Sequence, residues 1–193
     1  MNCFNTFILI SVTTLILNLF TTVARGESVS SNILERARTV VEVAASSATE
    51  TDVLRDVAII AIRNASAVQL DVEELYLAAI KSGDKVKQVT ARKRLDEVVE
   101  SVAESRDRLQ QVADLAWQTG VAAEAVKQQE KNVISARSNK DAERVLKHMQ
   151  KTSEEAVKDA KKAVALAEIL KKQWLLPLLP KVSVTPVVTP NDR

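Results

Sequence analysis

The side chains of this sequence that could do chemistry are few, and their spacing does not favour it. Among its 193 residues there are one Cys and one His, namely Cys3 and His148. Arg144 and Val145 stand four and three residues before His148, so the Glu-x-x-His pattern of di-metal helical bundles is missing. Carboxylates alternate with bases, as on a solvated helix face. The sequence therefore predicts a non-enzymatic protein with no catalytic residue, no cofactor and no metal site.

One modification signal is present. Asn64, Ala65 and Ser66 form the single N-glycosylation sequon. A glycan on Asn64 would make the protein a glycoprotein, although Ala65, the next residue, belongs to an apolar stripe that is expected to pack.

The N-terminus reads as a secretory leader. Residues 7–20 form an apolar run shorter than the about 20 residues of a membrane-spanning helix. The small residues Ala24 and Gly26 follow, as before a cleavage site. We expect a signal peptide over 1–26 and a product that is secreted, extracellular or held at the cell surface. Because residues 1–6 contain no Lys or Arg, an uncleaved leader that anchors the chain in a membrane stays open.

Composition excludes several classes of protein. The chain is 46% hydrophobic and 27% charged, with a net charge of +2, which does not fit a disordered polyelectrolyte. A balance so close to neutral predicts no nucleic-acid partner. The low content of aromatic residues, 3%, also leaves no platforms on which bases could stack.

The composition of the body of the chain predicts helices. From Glu27 to Leu176 there is no Pro and there are two Gly residues, and Ala, Glu, Lys, Val and Leu are frequent, most of which favour helix. Breaks fall at Gly83, at the polar cluster 138–141 and at Pro177. We predict helices at about 30–81, 84–136 and 140–175 within a bundle over 27–176, and a Pro-rich extended tail over 177–193 that packs back on the bundle or serves as a docking peptide.

Apolar and small residues recur at alternating steps of four and three along each predicted helix, for example Ile33, Ala37, Val40 and Ala44. We call the residues at this spacing the seam of each helix. Such a pattern indicates helices packed side by side. A further apolar set, Val57 with Ile59, Ile60 and Ile62, widens the face of the first helix and suits two neighbours. The predicted fold is all-α, an elongated antiparallel three-helix bundle or coiled coil with a long helical hairpin.

Pairing across the hairpin gives two further expectations. A turn at 82–83 places residues opposite each other when their numbers sum to about 165. Gly120 then faces residues 44–48, all small, and we expect the closest helix contact there. The acidic residues Asp71, Glu73 and Glu74 face the basic residues 92–94, which predicts ion pairs across the hairpin.

The end of the hairpin, Leu70 to Arg94, is the best candidate for contact with a partner. Its contact candidates are Tyr76, Leu77 and Ile80, because tyrosine offers both area and a hydroxyl at an interface. In the alternative interpretation, Tyr76 and Ile80 cap the end of the bundle. We expect Trp174 to close the bundle end, and Trp117 to fill the edge of the core rather than contact a ligand.

A leader, an Ala-rich body without cysteine and two long helices joined at a tight turn resemble the alanine-rich surface proteins of trypanosomes. In outline the chain is similar to the three-helix bundle of the glutamic acid/alanine-rich protein and related surface receptors. The resemblance covers residues 1–176 and implies a coat component or receptor-like module that binds by its helices or its far end. It carries over no binding residue.

Two classes of function follow from the sequence. The first is an interaction protein, either a coat component or a receptor-like binding module with a protein partner. The second is a lipid-associating amphipathic bundle of the exchangeable apolipoprotein kind, although narrow seams of Ala and Val favour a closed bundle over a lipid-binding face. Self-association as a coiled-coil spacer is a third possibility.

Overall fold

Three α-helices make up almost all of the described chain. The computed structural model describes residues 28–176, of which 93% are helical. The helices are α1, Ser31–Ser82, α2, Lys85–Ile134, and α3, Asn139–Trp174. They pack against one another without strands in this part of the chain, which confirms the all-α, antiparallel three-helix bundle. The predicted leader 1–26 and tail 177–193 lie outside the described residues.

The helices end where the sequence predicts because local hydrogen bonds stop them. Gly83 adopts a positive φ of 70°, which glycine tolerates at a helix C-terminus. Asp84 then caps α2, its Oδ1 accepting from the amides of Val86 at 3.0 Å and Lys87 at 3.2 Å. Ser138 caps α3 in the same manner and also donates to the Asp141 carboxylate at 2.8 Å. These caps are the physical reason why breaks at 83 and 138 were readable.

The seam predicted from spacing supplies nearly all of the buried residues of the bundle. The α3 seam is buried from Ala142 to Trp174, apart from Val145, which is half-buried, and no seam position of α2 is exposed. On α1 the one exposed seam residue is Leu75, close to the hairpin turn. In the wider apolar face, Ile62 packs on the core but Ile60 is exposed. Burial follows the seam, because the alternating steps keep one face of each helix toward its neighbours.

The described chain forms two compact units, each with its own apolar cluster. One unit comprises residues 28–48 and 118–158. Its buried cluster contains Ile33, Val133, Leu146 and Met149. Polar contacts tie its helix ends together, since the Ser30 amide donates to Asn139 Oδ1 at 2.9 Å and Arg36 pairs with Glu143 at 2.7 Å.

The second unit comprises residues 49–117 and 159–176. Three alanines of α1, Ala58, Ala61 and Ala65, are fully buried beside larger residues from α2 and α3. Small side chains on one helix and large ones on its neighbours let the helices approach closely without leaving voids.

The predicted close crossing at Gly120 is wrong. Gly120 is exposed, and a Cβ added there would meet nothing within 4 Å. Its neighbour Thr119 is the buried residue. Each residue turns a helix by about 100°, so a side chain one position beyond the seam points away from it. The pairing rule chose a level along the hairpin but took no account of that rotation.

The two glycines of the helical body should respond to alanine with opposite signs. Gly120→Ala should stabilise the protein by about 0.5–1 kcal/mol, because alanine favours the helix interior and no neighbour is displaced. Gly83→Ala should destabilise it by about 1 kcal/mol or more, because a residue with a side chain is strained at the positive φ of this position. No neighbouring atom lies within 4 Å of an added Cβ, so the backbone conformation alone causes the loss. Chemical denaturation followed by circular dichroism measures both. Equal signs for the two substitutions would contradict this assignment.

Candidate partner-contact site at the hairpin end

Helix α3 stops well short of the hairpin turn, and Trp174 closes its end. The indole is 8% exposed and lies in the apolar cluster of the second unit. Its Nε1–H donates to Ser105 Oγ at 2.8 Å, and Ser105 donates in turn to the Ser101 carbonyl at 2.7 Å. Gln173 Nε2 donates to the hydroxyl of Ser101. The expected closing role of Trp174 is confirmed, but the helix end that it closes is that of α3 alone.

Past Trp174 the hairpin of α1 and α2 continues without a third helix. Six large apolar side chains of this end are between 46% and 76% exposed. They are Leu70, Leu75, Leu77, Ile80, Val86 and Val89. Exposed apolar residues concentrated at one end of a helical hairpin make that end a candidate interaction surface.

Tyr76 and Arg92 form a pair across the two helices. The Arg92 guanidinium carbon lies 5.8 Å from the centroid of the half-buried Tyr76 ring, within the range of a cation–π contact. Arg92 Nε also donates to both carboxylate oxygens of Asp96, at 3.0 and 3.1 Å. Hydrogen bonding to Tyr76, followed by the contribution of Asp96, raises the pKa of Arg92 above its ordinary value. The Arg92 guanidinium is thus shared between the Tyr76 ring and the Asp96 carboxylate.

The open cavity beside this pair measures about 580 Å³. Val89 supplies an apolar wall, and Lys93 and Glu97 stand on its α2 side, joined by a 3.8 Å ion pair. The surface combines an aromatic ring, an arginine and aliphatic side chains within a charged rim, which is the composition of protein-contact surfaces.

The predicted ion pairs across the hairpin are wrong. Among the described residues, no ion pair joins Asp71, Glu73 or Glu74 to the bases 92–94; Arg92 and Lys93 pair with Asp96 and Glu97 four residues along α2. An (i, i+4) partner is always within reach on one helix, whereas a partner on the opposite helix requires matching rotation as well as level. The residue that α1 does present to Arg92 is Tyr76.

The structure places the three predicted contact residues at this end of the hairpin. Leu77 is 54% and Ile80 46% exposed, and Tyr76 is half-buried against Arg92. Arg92 and Val89 were missed as contact candidates. Arg92 was assigned to an ion pair across the hairpin, so its role beside the tyrosine ring was not foreseen.

Two other predicted residues have different environments. Asn64 is half-buried, and its Nδ2 lies 3.5 Å from the Trp174 carbonyl oxygen, to which it donates. Glycosylation of Asn64 stays a prediction, and attachment would require this nitrogen to leave that contact. The expectation that Trp117 fills the core edge is wrong, because it is 70% exposed on the residue following the buried Ala116.

Residues 28–176 contain no group of His, Cys, Asp and Glu side chains that could hold a metal ion. His148 is exposed on α3, as expected of a solvated helix residue. Of the helices α1 to α3, none has an apolar stretch long enough to cross a membrane.

Comparison with known proteins gives no match. No protein family, no curated protein and no solved structure resembles the chain closely enough to be assigned.

Proposed function

We propose that this chain is a non-enzymatic interaction module, secreted or held at a cell surface, that binds a protein partner through the outer face of its hairpin end. The outer face is defined by Tyr76, Leu77, Ile80, Val89 and Arg92. It fits a coat component or a receptor-like binding module, which is also what the trypanosome resemblance implies.

The observation that carries the proposal is the Tyr76–Arg92 pair, whose ring centroid and guanidinium carbon are 5.8 Å apart, at a hairpin end that also exposes Leu77, Ile80 and Val89. Tyrosine and arginine are over-represented among residues that dominate binding energy at interfaces. The side chains of Arg92 and Asp96 are 59% and 61% exposed, so the charged groups beside the tyrosine ring are accessible to a partner.

Replacing Tyr76 by Ala should abolish most of the binding while leaving the fold intact. The loss expected for a dominant contact residue is about 2 kcal/mol or more, roughly a 30-fold weaker interaction. The full chain, fluorescently labelled, is applied to intact cells, including trypanosomes and their host cells because the resemblance implies those surfaces. Flow cytometry measures binding, and circular dichroism measures thermal unfolding.

Trp117→Ala is the matched control, since it removes an exposed aromatic from α2 outside the hairpin end. Tyr76→Phe keeps the ring over Arg92 and should retain more binding than Tyr76→Ala. Binding that is lost with Trp117→Ala but kept with Tyr76→Ala would refute the proposed face. A lowered melting temperature of Tyr76→Ala with unchanged binding would make Tyr76 a structural cap.

A further inference from the structure

The hairpin end has a second groove, distinct from the outer face. Its walls are Val72, Leu75 and Ala79 of α1 and Val86, Thr90 and Ala91 of α2, and they enclose about 510 Å³. Leu75 is 55% and Val86 76% exposed. The apolar side chains of these walls are exposed to water, and covering them would be favourable.

The rotation of successive residues places this groove on the face of the hairpin that α3 covers farther from the turn. On α1, Asn64 contacts Trp174, and Leu75 follows eleven residues later, about three full turns and therefore on the same side. On α2, Ser105 contacts Trp174, and Thr90 precedes it by fifteen residues, within about 60° of the same side. The groove therefore continues the surface of α1 and α2 against which α3 packs, beyond the point where α3 ends.

The described chain ends on the same side of the hairpin as this groove, between the level of Asn64 and the turn. Helix α3 runs antiparallel to α2 and so points toward the hairpin turn. Leu175 packs against the apolar cluster around Trp174, while Leu176, the last described residue, is 47% exposed. The next residue is Pro177, which cannot continue the helix. A segment that continues from Leu176 toward the turn would therefore have to cross about 12 Å, the rise of α1 from Asn64 to Val72, before it reaches the groove.

The following segment has suitable chemistry and length. Between 178 and 188 the apolar residues are Leu178, Leu179, Val182, Val184, Val187 and Val188. Lys181 is the single charged residue of that stretch. An extended polyproline conformation advances about 3.1 Å per residue, so eleven residues span about 34 Å. From the level of Asn64 to Ser82 at the turn, α1 rises about 27 Å.

We propose that residues 178–188, which lie outside the described part of the chain, dock in this groove as an extended strap and cover the surface of α1 and α2 that lies beyond the end of α3. A tethered segment has an effective concentration in the millimolar range at its own groove, so at equal intrinsic affinity it outcompetes a second copy or a free partner present at micromolar concentration. The strap covers the α3 side of the hairpin end and leaves the outer face open, so the inference stands independently of the proposed function.

The test is thiol protection in the full chain, made with Cys3→Ser so that an introduced thiol is unique. Thr90→Cys places the thiol in the groove, and Lys93→Cys, whose parent side chain is 80% exposed, places it on the outer face. Maleimide should react with the groove thiol at least about tenfold more slowly, because the strap must open first. The cations Lys87 and Arg94 line the groove, and by themselves they would increase the thiolate fraction and so the reaction rate. A slow reaction would therefore indicate that the groove thiol is covered.

Leu178→Asp with Leu179→Asp should remove the protection and bring the two thiols to similar rates. The matched control, Thr189→Asp with Asn191→Asp, adds the same charge to the same tail beyond the docked segment and should keep the protection. Equal rates with the unmodified tail, or protection that survives the leucine substitutions, would overturn the proposal. Protection that grows with protein concentration would assign the groove to a second copy instead, and would equally overturn it.

Discussion

Trp174→Ala should lower the free energy of unfolding by about 3–5 kcal/mol, the range for removing a buried tryptophan. The loss has two sources. The indole, 8% exposed, fills the end of the second unit's core beside Leu170 and Val102, and alanine would leave a cavity there. Ser105 Oγ, fully buried, would also lose the Nε1–H donor that it now accepts from.

The chain's other tryptophan provides the control. Trp117 is 70% exposed, so Trp117→Ala should change the free energy of unfolding by no more than about 0.5 kcal/mol. Each variant retains a single tryptophan, whose fluorescence follows unfolding in guanidinium beside circular dichroism. Trp174→Phe should fall between the two, because most of the packing remains while the hydrogen bond to Ser105 is lost. A loss below about 1 kcal/mol for Trp174→Ala would contradict the burial of this residue.

The helical layout was readable because local signals and long-range packing agree. Gly83 and Ser138 are the kinds of residue that end and start helices, and both stand where the structure breaks. The seam was readable because a fixed step pattern runs along each helix, and it held even through Gly120. Local propensity, capping and periodicity thus specify the same helices.

What could not be predicted depends on rotation and on where a neighbour ends. Gly120 was assigned by its level along the hairpin and Trp117 by its place beside the seam residue Ala116, yet each lies one residue beyond a buried seam position and so faces away. Leu75 belongs to the seam pattern but is exposed, because α3 ends before reaching it. No local signal on α1 reports the length of its neighbour.

The candidate site illustrates the same limit. Tyr76, Leu77 and Ile80 were proposed from residue type and from their place near the turn, and both features are local. The partner of Tyr76 is on α2, and the choice of Arg92 over nearby bases depends on the relative rotation of two helices. Charge pairing by level alone selected Asp71, Glu73 and Glu74 instead. Residue type therefore selected the candidate residues, whereas the Tyr76–Arg92 pairing depends on the three-dimensional arrangement of the two helices.

The first unit offers the second large effect, at Leu146. The seam pattern selected Val145 at this turn of α3, but the fully buried side chain is Leu146, and Val145 packs only partly against the cluster. Leu146 lies among Ile33, Val133 and Met149. A strict three–four spacing names one residue per turn, whereas a helix packed against two neighbours buries a wider stripe. Leu146 is on the side that the narrow pattern leaves out.

Leu146→Ala should therefore lower the free energy of unfolding by about 2–5 kcal/mol, since the cavity adds to the lost transfer free energy. Val145→Ala, the adjacent change in the same helix, should cost less than half as much. Leu146→Met, which nearly conserves volume, should cost less than about 1.5 kcal/mol. Leu70→Ala, at a leucine that is 61% exposed, should be almost neutral by the same measurement, guanidinium unfolding followed by circular dichroism. If Val145→Ala proved the more damaging of the two neighbours, α3 would be rotated by about one residue from the packing described, and the narrow seam would be the correct description of the first unit's core.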